Sequence, residues 1–122
     1  DLLAGGDGGL RYYENNGLVN IPAYGFEQHS PFSITSPSGI SKPYMADIDN
    51  DGDMDLFVGS SDGNTYYYQN TGSPARPIFA ASVQNAFNVV DVGTRSAPAL
   101  ADIDRDGDID LLVGRASDPW PC

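Results

Sequence analysis

The chain repeats itself. Gly17 through Gly59 aligns on Gly72 through Gly114 without a gap, at an offset of 55 residues, and a fixed period of about this size marks a chain built by stacking copies of one supersecondary unit. Pro22 meets Pro77, Phe32 meets Phe87, Ile34 meets Val89, Ser41 meets Ser96, Pro43 meets Pro98 and Ala46 meets Ala101. Upstream, Asp7-Gly8 aligns with Asp62-Gly63 and Tyr12-Tyr-Glu-Asn15 with Tyr67-Tyr-Gln-Asn70. Asp1-Leu-Leu-Ala-Gly5 matches Asp55-Leu-Phe-Val-Gly59 after a slip of one residue. The 122 residues therefore hold about 2.2 copies.

Each copy reads as four short strands. Tyr44-Met-Ala46 leads into an acidic loop and Leu56-Phe-Val58 leaves it, while Asp62-Gly63 is a strong hairpin signal. Thr65-Tyr-Tyr-Tyr-Gln69 is rich in strand-favouring residues, with Tyr66 and Tyr68 on one face and Tyr67 on the other. Asn70-Thr-Gly72 then turns the chain. Pro74 and Pro77 suit a connector or an edge, and a fourth strand is expected between Ile78 and Val83. No stretch sustains a helical period, and nine prolines and fourteen glycines agree with a turn-rich all-β protein. Counted along the chain, the strands group as three, then four, then two. Residue 1 stands at what would be the ninth position of an acidic loop, so the chain is expected to be a piece of a longer one or to assemble.

The acidic loop is Asp47-Ile-Asp-Asn-Asp-Gly-Asp-Met-Asp55, and it returns as Asp102-Ile-Asp-Arg-Asp-Gly-Asp-Ile-Asp110. At an effective dielectric of ~20, two carboxylates ~4 Å apart repel by about 4 kcal/mol, so five in nine residues are costly unless a cation lies among them. The spacing suits Ca²⁺, which takes six to eight oxygens and needs a tight turn to gather them. Asp47, Asp49 and Asp51 can converge on one ion, Gly52 permits the bend, the Asp53 carbonyl can add an oxygen, and Asp55 can close the shell. Asp102, Asp104, Asp106, Gly107, Asp108 and Asp110 repeat the scheme, giving two Ca²⁺ sites. An EF-hand would carry Glu at the twelfth loop position, where this chain has Val58 and Val113. The following Leu56-Phe-Val-Gly59 and Leu111-Leu-Val-Gly114 read as buried strands, which sets each loop between two strands. A merely solvated acidic turn would keep the same repulsion twice over for no benefit.

The formal charge is −11, and ten of the seventeen acidic residues lie in the two loops. An acidic balance of this size argues against nucleic acid or an anionic membrane as partner. No window reaches the roughly 18 apolar residues of a membrane span, so membrane insertion is not expected. No secretory signal opens the sequence, which is read as a processed or partial chain. The single cysteine, Cys122, leaves open a free thiol, an intermolecular disulfide, or a partner further downstream. There is no Asn-x-Ser/Thr sequon, while Ser30-Pro31, Ser36-Pro37 and Ser73-Pro74 leave O-linked sugars open. No catalytic set can be assembled: His29 is the only histidine, its counterpart is Gln84, and the paired carboxylates are committed to metal. The chain is expected not to be an enzyme.

The run Ala-Asp-Ile-Asp-x-Asp-Gly-Asp-x-Asp-Leu-x-Val-Gly, followed by Asp-Gly-x-x-Tyr-Tyr-Tyr-Gln-Asn-Thr-Gly, resembles the FG-GAP and VCBS repeats, and the resemblance covers nearly the whole chain. It implies four-stranded antiparallel blades of the β-propeller type found in integrin α-subunits, with Ca²⁺ in the loop between the first two strands. Carried over by position, Asp47, Asp49, Asp51 and Asp55, and Asp102, Asp104, Asp106 and Asp110, would be side-chain ligands. Asp53 and Asp108 would give backbone oxygens. The divisions expected are residues 1–42, a partial first blade (strands 2–4) and connector; 43–97, a complete blade with its calcium loop; and 98–122, a partial blade with the second loop and a tail. About two blades is fewer than the four to eight of a closed propeller, so the expected partners are other blades of a longer chain or other copies of this one.

The function this implies is a calcium-stabilised extracellular or cell-surface module for adhesion or recognition, with a protein or glycan as ligand and no catalysis. The alternative is a structural subunit of an extracellular filament or surface fibre. Loop-borne acidic sites of extracellular modules fill at ~10⁻⁴–10⁻³ M calcium, which favours that location. Tyr12, Tyr13, Tyr66, Tyr67, Tyr68 and Trp120 could stack on sugar rings, although aromatic residues on such strands more often pack between blades.

Overall fold

Alternation divides the molecule. In the computed structural model, Leu56, Val58 and Tyr68 pack with Leu10 and Ile34 on one side of a central sheet, and Phe57 and Tyr67 pack with Leu100 on the other. Tyr66 sides with Tyr68, as period-two geometry requires. The structure describes residues 1–29, 31–37 and 39–116. Ser30, Trp120 and Cys122 lie outside them.

The described chain is all-β, with nine strands in three antiparallel sheets. The first holds β1 (Leu2–Gly6), β2 (Gly9–Tyr13) and β3 (Gln28–His29). The second holds β4 (Ser41–Ala46), β5 (Asp55–Ser60), β6 (Thr65–Tyr68) and β7 (Val83–Gln84). The third holds β8 (Ser96–Ala101) and β9 (Asp110–Arg115). Within each sheet neighbours in sequence are neighbours in space. The described residues form no closed ring, and only the central sheet has four strands. Their one helical feature is a pair of single 3-10 turns at Pro31–Ser33 and Ala86–Asn88.

The sheets stack face to face, and β4 runs beside both β1 and β8. β5 is buried along its whole length. Its side chains alternate between the two interfaces, so Phe57 is 2% exposed although the sheet is one strand thick. Phe32 and Phe87 hold the left-handed backbone conformation in both copies, which costs ~1–2 kcal/mol for a residue with a Cβ. Ring packing offsets it: Phe32 lies 4.9 Å from Tyr12 and Phe87 lies 4.9 Å from Tyr67.

Two expectations need correction. The fourth strand is not Ile78 to Val83 but the two residues Val83–Gln84, paired with Tyr67 and Tyr66. Residues 69–80 instead fold into an irregular hairpin, with Ala80 N donating to Gln69 O at 2.8 Å and Thr71 N to Ile78 O at 2.7 Å. Pro74 and Pro77 have no N–H to offer a regular ladder there. The first strand starts at Ser41, ahead of the expected Tyr44, and runs through Pro43, which pairs with Val58. Proline is tolerated because β4 is the edge of its sheet, as β8 with Pro98 is of its own.

Candidate metal centre

Each acidic loop closes a ladder end. Ala46 pairs with Asp55 and Ala101 with Asp110, so the residues between must double back within one turn. They do so with the same pair of left-handed residues in both copies, Asn50 and Gly52 in the first, Arg105 and Gly107 in the second. Asparagine and glycine adopt that conformation at least cost.

The turn aims its own N–H groups at the first aspartate. Asp47 Oδ1 accepts from Asp51 N at 3.1 Å and Oδ2 from Gly52 N at 3.0 Å, while Asp51 Oδ1 accepts from Asp53 N at 3.1 Å. In the second loop Asp102 Oδ1 accepts from Asp106 N at 3.1 Å, Oδ2 from Gly107 N at 3.0 Å, and Asp106 Oδ1 from Asp108 N at 2.9 Å. The outcome is convergence: one carboxylate oxygen each from Asp47, Asp49 and Asp51 lie within 4.8 Å of one another, and so do those of Asp102, Asp104 and Asp106.

The remaining aspartates are placed differently. Asp55 is fully buried, with Oδ1 accepting from Asn70 N at 2.8 Å and Oδ2 from Ile48 N at 3.3 Å, so it ties the loop to the far end of β6. Asp110 Oδ2 takes the matching bond from Ile103 N at 3.0 Å. Asp53 is only 6% exposed, and its Oδ1 is buried without a hydrogen-bond partner. Asp108 stays exposed. Thus three of the five carboxylates named in each loop come together through their side chains, and the other two frame them.

Two contributors escaped the sequence reading. Gln69 at the end of β6 donates from Nε2 to Asp49 Oδ2 at 3.1 Å. Asn70, buried beside it, donates to the Met54 carbonyl at 3.3 Å and accepts from Gly72 N at 2.9 Å and Ile78 N at 3.1 Å. The recurrence of Asn15 and Asn70 was visible, but their hydrogen-bond partners depend on the hairpin that follows.

Burial shapes the electrostatics of the first loop. Burial pushes the Asp53 carboxyl above its ordinary range, and the neighbouring charge of Asp51 adds to it. Asp55 is raised as well, burial outweighing the bonds from Asn70 and Ile48. Burial and then the charge of Asp55 drive the Tyr67 phenol well above its usual range. Among the described residues the ion pairs are Arg11–Glu27 and His29–Glu27, and neither involves a loop carboxylate. An all-carboxylate donor set with a buried, unpartnered oxygen nearby fits a hard divalent ion such as Ca²⁺ rather than zinc.

A pH dependence follows. Raised pKa values in the folded chain mean that it binds more protons than the unfolded chain just above the ordinary carboxylate range, so stability there rises as pH falls. Glu27, lowered chiefly by the hydrogen bond from Tyr13, acts the other way, but only below its ordinary value. In chelator the chain is expected to melt higher at pH ~5 than at pH ~7, and in calcium the order reverses because protons compete with the ion. Thermal melts at both pH values, with and without chelator, check the crossing.

A family model for the FG-GAP-like repeat matches residues 1–58 and again residues 47–113. The chain belongs to the FG-GAP-like repeat family. No curated protein and no solved structure matches it. The two FG-GAP-like matches together span both acidic loops and reach into all three sheets.

Proposed function

We propose that these FG-GAP-like repeats form propeller-type blades whose corners are pinned by calcium, in an extracellular or cell-surface module for adhesion or recognition without catalysis. The observation that carries this reading is the convergence of three carboxylates in each of two loops of the same build. Asp47, Asp49 and Asp51 would hold one ion and Asp102, Asp104 and Asp106 the other, with Asp55 and Asp110 bracing the loops. The ion supplies charge neutralisation and a link between adjacent strands, and its binding energy becomes folding energy. The divisions at residues 1–42, 43–97 and 98–122 follow the same reading. Titration calorimetry is expected to give two Ca²⁺ per chain, and Asp51→Ala or Asp106→Ala about one; uptake of none by the unaltered chain would overturn the assignment.

A second reading, a filament or fibre subunit, draws on the outer face of the third sheet. Leu112 is 54% exposed, although its counterpart Phe57 is buried under the neighbouring sheet. A head-to-tail contact that does not close generates open polymers. Concentration-dependent growth in sizing experiments favours this reading, and a single compact species favours the first.

A further inference from the structure

The strand-pairing geometry puts both acidic loops at one end of the stack, because each joins the first two strands of its sheet. Between them lies a groove of about 480 Å³. Its lining mixes apolar Met45, Met54, Leu100 and Ile109 with polar Asn50, and Asp47 stands on the rim made by the first loop and Asp108 on the rim made by the second. Met54 is more than half exposed, and Met45 and Ile109 are each over a third exposed. A second cavity of about 390 Å³, between the first and second sheets, also includes Met45 and Met54, so the apolar surface continues past the first loop.

We propose that this groove binds a basic peptide segment carrying one apolar anchor flanked by lysine or arginine. Charge complementarity selects the partner. Ten carboxylates, two divalent ions and Arg105 leave five net negative charges on the loops, and Lys or Arg on either side of an anchor would reach a loop on each flank. Unbranched methionines adapt to side chains of differing shape, which suits an anchor pocket. An acidic partner would meet repulsion on both rims. The proposal goes beyond calcium pinning by naming what the recognition surface takes.

The probe is the acetylated, amidated peptide Lys-Lys-Leu-Lys-Lys, titrated into the chain by calorimetry in calcium, with Lys-Lys-Gly-Lys-Lys and Glu-Glu-Leu-Glu-Glu as comparisons. The leucine peptide is expected to bind at ~0.1 mM and the glycine peptide about tenfold more weakly, the difference of a buried apolar side chain. The glutamate peptide is expected not to bind. Met54→Ser and Ile109→Ser, neither of which removes a carboxylate, should each weaken the leucine peptide several-fold while two Ca²⁺ are still taken up per chain. Equal binding of the leucine and glycine peptides, indifference to both substitutions, or no binding up to about 5 mM overturns the proposal. Calcium stoichiometry, measured on the same sample, tells that failure apart from a failure of the metal assignment.

Discussion

Excess chelator is expected to lower the melting temperature by about 15 °C, reversibly on adding calcium back. An ion that binds only the folded chain stabilises it by RT ln(1 + [L]/Kd), about 2.7 kcal/mol per site when calcium stands at about 100 times Kd. Two sites contribute about 5 kcal/mol, and in a domain of this size each kcal/mol moves the midpoint by roughly 3–4 °C. The geometry explains why the effect reaches the whole fold. Asp47 and Asp102 are held by N–H groups of the turns they sit in, so neutralising the carboxylates also fixes the turns. In the first loop Asp55 and Asn70 carry that constraint to the end of β6. Without the ion, repulsion among Asp47, Asp49 and Asp51 opposes the turn. Differential scanning calorimetry with and without chelator measures the shift, and a melt indifferent to chelator would defeat the metal reading.

Much of this architecture could be read from residues whose roles are local. The alternation of Tyr66, Tyr67 and Tyr68 assigned each ring to its interface, and the loop spacing assigned the three converging carboxylates. What could not be read depends on contacts far along the chain. The hairpin of residues 69–80 looks like a proline-rich connector because its bonds are irregular and its register is set by Asn70, which accepts from both Gly72 and Ile78. The one-residue slip near the first repeat was plain in the alignment, but its consequence was not. Ser96 Oγ donates to the Asn64 carbonyl at 2.6 Å and accepts from Ser60 N at 3.0 Å, using the longer turn between β5 and β6. Between β1 and β2 two residues turn the chain where four do so between β5 and β6, and the equivalent Ser41 Oγ is buried without a partner. The distinct placement of Asp53 and Asp55 likewise arises from burial beneath neighbouring elements, which a nine-residue motif does not encode.

The stack itself is open to a matched pair of substitutions. A Cβ added at Gly59 would lie 2.2 Å from the Ser96 carbonyl oxygen and 2.6 Å from Pro98 Cδ. The same approach occurs one interface earlier, where a Cβ at Gly5 would lie 2.1 Å from the Ser41 oxygen and 2.6 Å from Pro43 Cδ. Both obstacles include backbone that cannot swing aside, so Gly59→Ala must push the second and third sheets apart. We expect a loss of about 3 kcal/mol or more, at the upper end for a single methyl group because the displacement disturbs a packed face. Gly114 stands at the matching place on β9, where the nearest atom to an added Cβ is the Ala97 oxygen at 3.9 Å. Gly114→Ala should therefore change stability by no more than about 0.5 kcal/mol. Denaturant melts of both variants in calcium test the contrast, and equal melts would remove the case for close stacking. Gly114→Ala also separates the two readings of function. If further sheets dock on β9 as the third sheet docks on β5, the added methyl should arrest polymer growth in sizing experiments while the single chain melts as before.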